Sequence, residues 1–566
     1  MSLKNRLWPA AALCAGTLLA ACGGSDGPEF RTTVYGKVQG TNDALGSGTY
    51  SWKGLPFAKP PIGALRWKAP VAPDNWSGTR TAQAFGQACL QNGRIYGPGA
   101  HNTYDASIAA TLNTPVGSED CLTLNIWRPA GDAKDLPVIV FVYGGSNISG
   151  YTADPVYDGA ALAKAANAVV VTTNYRLGVL GFMNLPQLKT GGGPGDSGNF
   201  ALLDILQALG FVRDNIASFG GNPGNVTLMG QSAGAINTWA LLASPLGAGL
   251  FHKVIPLSGG ISLASNLPAG TLPTLNPAAA YLAQGNALLA RLVIADGKAT
   301  DTASAQAWVA GQSPTQIADY LRSKDAQTIL TTVLTAGLTG SGPIPDGSVL
   351  PADPVGAIAA GNYNKVPVLA GNTAEEGKLF APFLTLFGGP PGFKVSDATR
   401  FAMMADFNPN APATLTEADV LDPAYVPSQA PITGWNAKTA LLGAAFTTPS
   451  RDNMLNTLKT RQQNVWYYQF DWAQEPAPWN TLYGAAHAFD LPFIFGNFGP
   501  SVFSNATNSE ANKGGRLALS AAMMASIGAF ARTGDPNHAA LGVSWAPWPA
   551  SLSFDASLAQ ARITAR

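Results

Sequence analysis

One pentapeptide has the residue types for nucleophilic attack on a carbonyl: Gly230-Gln231-Ser232-Ala233-Gly234, a G-x-S-x-G. It follows Val226 to Gly230 (VTLMG), which reads as a buried strand, and precedes a helical segment. A sharp strand-to-helix turn would expose the Ser232 hydroxyl at the sheet's edge, with the glycines removing side chains that would crowd it. The following helix would aim backbone N–H groups at developing negative charge. A serine of this kind needs a base, and the chain has four histidines: His101, His252, His487 and His538. The order for such a turn is nucleophile, acid, histidine, which excludes His101. His252 lies 20 residues after Ser232, with little room for an intervening acid. His538 sits in the turn sequence Gly534-Asp535-Pro536-Asn537-His538, which leaves His487. An acid should close a strand between the two. Pro367 to Gly371 (PVLAG) is such a strand, and both Glu375 and Glu376 behind it fit the spacing. A carboxylate there would fix the imidazole tautomer and stabilise the imidazolium.

The elements that must position these groups are legible as apolar runs. Leu136 to Tyr143 (LPVIVFVY), Ala168 to Asn174 (AVVVTTN) and Asn464 to Phe470 (NVWYYQF) read as strands buried on both faces, and Gly198 to Asn215 as an apolar-striped helix. Strands alternating with helices imply an α/β fold with a mostly parallel central sheet covered on both faces. Phe30 to Gln91 is turn-rich and has no long helical pattern. The length of 566 residues would allow three or four domains, but no linker divides the middle of the chain. We therefore expect one large catalytic domain, residues 31–566, with long insertions. Hydrophobic residues at 46% and charged residues at 12% supply a large core, and exclude a disordered chain. Lys+Arg and Asp+Glu each number 34, so no basic surplus exists to neutralise phosphates, and nucleic acid is not an expected partner.

The chain resembles the type-B carboxylesterases, the cholinesterase-like branch of the α/β-hydrolase fold. The resemblance runs through Gly54-Leu55-Pro56-Phe57-Ala58-Lys59-Pro60-Pro61-Ile62-Gly63, Leu65-Arg66-Trp67, Glu119-Asp120-Cys121-Leu122-Thr123-Leu124-Asn125 and Asn174-Tyr175-Arg176-Leu177-Gly178. It continues through residues 215–223 and 226–234, His487 with residues 491–496, and residues 530–537. It implies Ser232, Glu376 and His487 as the catalytic residues, with Glu376 chosen because it directly precedes Gly377. It further implies oxyanion donors at Gly145, Ser146 and Ala233, a supporting serine at Ser258 that steadies the acid, and a Cys89–Cys121 disulfide closing a loop at the rim of the active-site gorge. The family's oxyanion loop usually reads His or Tyr, three glycines and Phe; here it is Tyr143-Gly144-Gly145-Ser146-Asn147. Ser146 and Asn147 would make the acyl side of the site more polar. Gln231 stands where glutamate is common, removing a negative charge and weakening the case for a cationic alcohol. Aromatic residues Phe380, Phe383, Phe387, Trp472 and Trp479 are candidate gorge linings for an apolar or aromatic substrate portion.

The implied activity is ester hydrolysis through an acyl-enzyme, acting on a small-molecule ester without a cofactor. Two other readings share the motifs: a non-catalytic binding or adhesion protein on the same fold, and a lipase or amidase with the same triad. Two cysteines and four scattered histidines in the folded part offer no zinc-ligand spacing, so no metal is expected.

The N-terminus reads as an export signal: Lys4 and Arg6, then a short apolar run from Leu7 to Leu19. Leu19-Ala20-Ala21-Cys22 resembles a bacterial lipobox, implying a signal peptide at 1–21, lipidation of Cys22 and a flexible tether at 22–30. Gly23 after the cysteine implies outer-membrane sorting, with membrane contact only through the anchor.

Overall fold

The computed structural model describes residues 26–338 and 340–566; the expected signal peptide and Cys22 lie outside them. Glu29 and Phe30, expected in the tether, belong to the folded body. The Glu29 carbonyl accepts from Trp52 Nε1 and Gly40 N, and Phe30 opens a short strand.

Among the described residues, eleven strands form one sheet. In chain order they are β1 (Thr41–Asp43), β2 (Thr49–Pro56), β3 (Thr123–Pro129), β4 (Leu136–Val142), β5 (Val169–Thr173), β6 (Gly221–Gln231), β7 (Lys253–Leu257), β8 (Val368–Thr373), β9 (Val465–Phe470), β10 (Leu552–Ala556) and β11 (Ala561–Ala565). Their spatial order is β11-β10-β9-β8-β7-β6-β4-β5-β3-β2-β1. The stretch from β5 to β10 is parallel throughout. Antiparallel strands finish both ends. Every residue of β4 and β5 is buried. Because alternate side chains point to opposite faces, both faces of these strands must be covered.

Helices supply the cover. They include α1 (Phe200–Asn215), α2 (Ala233–Ala243), the successive α3 (Ala278–Ala295), α4 (Thr302–Ala310), α5 (Pro314–Ser323) and α6 (Ala326–Thr335), then α7 (Trp435–Lys459) and α8 (Lys513–Thr533). Helices α3 to α6 belong to the insertion between β7 and β8. They build a second apolar cluster, in which Leu288, Leu292, Ile317, Leu321 and Ile329 pack with Trp67, Leu180 and Leu185.

The winding of the sheet decides where a site can form. From β4 the chain moves outward to β5; it then returns to β6 on β4's other side and continues away through β7 and β8. The loops leaving the carboxyl ends of β4 and β6 therefore diverge, opening a crevice at this switch point. Residues 143–147 leave β4 there, and Ser232 leaves β6.

Candidate active site

Ser232 occupies a backbone conformation that few non-glycine residues adopt, φ 56° and ψ −121°. Close packing enforces it. A Cβ on Gly230 would lie 2.2 Å from Gly234 O, and one on Gly234 would lie 2.0 Å from Val142 O, so neither position admits a side chain. Ser232 N donates to Leu257 O at 2.8 Å on β7, and Ser232 O accepts from Ile236 N in the first turn of α2. The hydroxyl is thereby fixed between strand and helix.

His487 lies in the loop after β9 and is buried. Its Nδ1 is 2.5 Å from Glu376 Oε2. Glu376 follows the end of β8, and its Oε1 accepts from Asn372 Nδ2 at 2.8 Å and Thr373 N at 3.0 Å. Burial alone would push this carboxyl up. The His487 ring and its hydrogen bond, helped by Asn372 and weakly by Ser258, hold it below the usual glutamate range. Of the two glutamates, Glu376 is the one that contacts His487. Glu375 turns away, pairs with Lys378 Nζ at 2.5 Å, and binds the His487 loop through Ala485: Glu375 N donates to Ala485 O, and Ala485 N donates to Glu375 Oε2.

Ser258 lies beside Glu376 and contributes to lowering its carboxyl. Its hydroxyl is buried but closes no hydrogen bond. Its backbone turns at φ 51°, with N donating to Gly371 O at 2.7 Å, which sets the turn after β7. Asn372 and Thr373 hydrogen-bond Glu376 Oε1 directly. Their place directly after the expected strand was the available signal for them.

At His487 Nε2 the partner is Gln231 Nε2, 3.2 Å away. An amide nitrogen only donates, so Nε2 accepts and the ring proton sits on Nδ1, facing Glu376. This is the tautomer a general base requires. No hydrogen bond links Ser232 Oγ to His487.

Residues 144–147 leave β4 beside the elbow. A Cβ on Gly145, whose φ is 99°, would meet Ser149 O at 2.1 Å. Ser146 and Asn147 follow at φ 58° and 57°. The N–H groups of Gly145, Ser146 and Ala233 donate to no acceptor among the described residues, and all three residues line the space around Ser232. Asn147 exchanges side-chain hydrogen bonds with Asn237, so its amide is already engaged. The added polarity of this side rests on the exposed Ser146, whose carbonyl accepts from Ser341 Oγ at 2.7 Å.

Two cavity lobes meet at Ser146, Ser232, Phe380 and His487. One, about 700 Å³ including its open mouth, is bounded by Asn147, Ala233, Ile236, Phe446 and Thr447. The other, about 940 Å³, is bounded by Gly144, Gln231, Tyr96 and Phe383, with Arg94 and Arg400. Phe380 lies against the His487 ring, centroids 4.6 Å apart. Trp472 and Trp479, by contrast, are fully buried packing residues away from both lobes, and Phe387 is half-exposed outside them. The other histidines are elsewhere: His252 Nδ1 accepts from Val226 N at the start of β7, His538 contacts Ser526, and His101 is exposed.

The pattern that defines the carboxylesterase family matches residues 27–559. The chain is a carboxylesterase. It is 33% identical over 524 residues to a para-nitrobenzyl esterase of Bacillus subtilis (strain 168), covering 92% of each chain. It is 34% identical over 529 residues to a fumonisin B1 esterase of Sphingopyxis macrogoltabida, covering 92% of this chain and 85% of that one. Among solved structures, a PNB esterase superimposes with a TM-score of 0.69 at 28% identity, covering 95% of this chain and 97% of the other. A Geobacillus stearothermophilus carboxylesterase gives 0.68, also at 28%, with 95% and 98% covered. The enzyme thus has the α/β-hydrolase fold and hydrolyses esters. In this carboxylesterase Cys89 and Cys121 form a disulfide, and the loop they close contributes Arg94 and Tyr96 to the larger lobe. Neither Arg94 nor Arg400 stood out in the sequence, because both lie outside any motif.

Proposed function

We propose that Ser232, His487 and Glu376 form the catalytic triad of this esterase, with the N–H groups of Gly145, Ser146 and Ala233 as its oxyanion hole. Ser232 Oγ attacks the ester carbonyl while His487 Nε2 takes its proton, and Glu376 stabilises the resulting imidazolium. The three N–H groups receive the carbonyl oxygen as it becomes an oxyanion. His487 then protonates the leaving alcohol, and water repeats the sequence on the acyl-enzyme. The observation that supports this reading most is the 2.5 Å His487–Glu376 contact in one cavity with a strained serine. Nε2 faces Gln231, which lines only the larger lobe, so that lobe takes the alcohol that must be protonated. The smaller lobe, next to Ser146 and Ala233, takes the acyl group. Their sizes and the Phe380, Phe383 and Phe446 rings favour small to medium esters with an apolar or aromatic portion.

The enzyme is further proposed to be exported and lipid-anchored at Cys22, in the outer membrane. The lipobox-like sequence supports this, and the disulfide is compatible with an oxidising compartment.

Hydrolysis of p-nitrophenyl esters from acetate to palmitate, by wild type and Ser232→Ala, tests the assignment. Loss of turnover by at least about 10⁴-fold in the folded variant is expected. Undiminished turnover would refute it. The chain-length profile separates an esterase from a lipase.

A further inference from the structure

The alcohol lobe contains two guanidinium groups that triad chemistry does not need. Arg400 is only 4% exposed, and its Nε is buried without a partner. Its guanidinium lies 4.2 Å from the Phe393 ring centroid, and only Nη2 is engaged, by Asp397 Oδ1 at 2.7 Å. Arg94, half-buried on the disulfide loop, lies 5.9 Å from the Tyr96 ring centroid and has no ion pair or side-chain hydrogen bond among the described residues. Asp397 is the one acidic residue among those bounding the lobe, and its side chain is about half exposed. Gln231 contributes no charge where it faces the cavity. Two cations against one exposed carboxylate leave the lobe with a net positive charge inside low-dielectric walls, where a charge is felt strongly. An unpaired guanidinium at a cavity wall is a ready donor for a planar, bidentate anion.

We propose that the larger lobe recognises a carboxylate on the alcohol portion of the ester, held by Arg94 with Arg400 behind it. The preferred substrates are then acyl esters of hydroxy acids. Ser232 Oγ adds to the acyl carbon, the C–O bond to the alcohol breaks, and the released hydroxy acid takes a proton from His487; water then breaks the C–O bond between the acyl group and Ser232. This rests on the assignment of the larger lobe to the alcohol in the proposed mechanism.

The test compares two isosteric benzylic acetates, 4-(acetoxymethyl)benzoate and 4-(acetoxymethyl)benzamide, with the intact enzyme. p-Nitrophenyl acetate turnover in the same preparations reports separately whether the triad assignment holds. The carboxylate ester is expected to exceed the amide in kcat/KM by about tenfold or more, chiefly through KM, with the ratio falling as salt rises. 4-(Hydroxymethyl)benzoate should likewise inhibit p-nitrophenyl acetate hydrolysis better than its amide. Arg94→Gln should bring both ratios towards one, and Arg94→Lys should retain part of them, which a purely structural role for Arg94 would not do. Equal handling of the acid and amide in turnover and inhibition, or a preference that survives R94Q, would overturn the proposal.

Discussion

Gln231 faces His487 Nε2 at 3.2 Å, and Glu376 faces Nδ1 at 2.5 Å. Exchanging that neutral amide for a carboxylate would place a buried negative charge beside the ring and favour the imidazolium. In Gln231→Glu the acidic limb of the pH–rate profile should therefore move to higher pH, by about one unit; an unmoved limb would show that Gln231 does not sense the ring's charge. At this scale the sequence singled out Ser232 and His487, because G-x-S-x-G follows a strand and histidine is scarce, and the structure places both at one cavity. Spacing could not separate Glu375 from Glu376. Their roles divide because the chain turns just after β8, facing one carboxylate to His487 and the other to Lys378. Arg94 and Arg400 were invisible for a similar reason. Arg94 comes from the disulfide loop and Arg400 from the helix Asp397–Ala405, and the two meet only in the folded cavity.

Among the elements, the buried apolar strands β4, β5, β6, β8 and β9 and helix α1 were readable as continuous or periodic patterns. The strands at the two ends of the sheet, β1, β2, β10 and β11, were not, since they are short or mixed in polarity. Many family motif residues prove to be connectors between elements. Arg66 makes a paired contact with Glu119 at 2.6 Å, Arg176 does the same with Asp204, and Asn174 Nδ2 bonds to Gln87 O and Cys121 O. The Cys89–Cys121 bridge belongs with them, closing a 32-residue separation. Removing it as C89S/C121S should cost about 4 kcal/mol in unfolding free energy, measured by urea denaturation. Because that loop contributes Arg94 and Tyr96 while the proposed triad follows strand ends, KM should rise more than kcat falls.

Among the described residues, burial pushes up the buried carboxyls of Asp204, Asp490 (to about 6), Asp154 (to about 7) and Glu475 (to about 8). Glu475 has neither carboxyl oxygen hydrogen-bonded, and the nearby Glu375 adds to its shift. An acid whose folded value is raised binds more protons folded than unfolded, so its stabilisation is complete below the unfolded value and is lost as pH rises through the folded one. Stability should thus decline from about pH 4 to 8. Glu376, shifted the other way, acts oppositely, its contribution fading as acid protonates it. Glu475→Gln removes a large upward shift, from the ordinary glutamate range to about 8. The variant should match wild type near pH 5 and exceed it at pH 8.5 by more than about 2 kcal/mol. Parallel stability curves for the two proteins would contradict this.

The proposed mechanism has turnover pass through an acyl group on Ser232. Mixing the enzyme with excess p-nitrophenyl butyrate, quenching in acid and mapping peptides by mass spectrometry reads it directly. A butyryl group on the Ser232 peptide, absent from Ser232→Ala, is the predicted result. A butyryl group on another residue, with turnover retained in Ser232→Ala, would contradict the account.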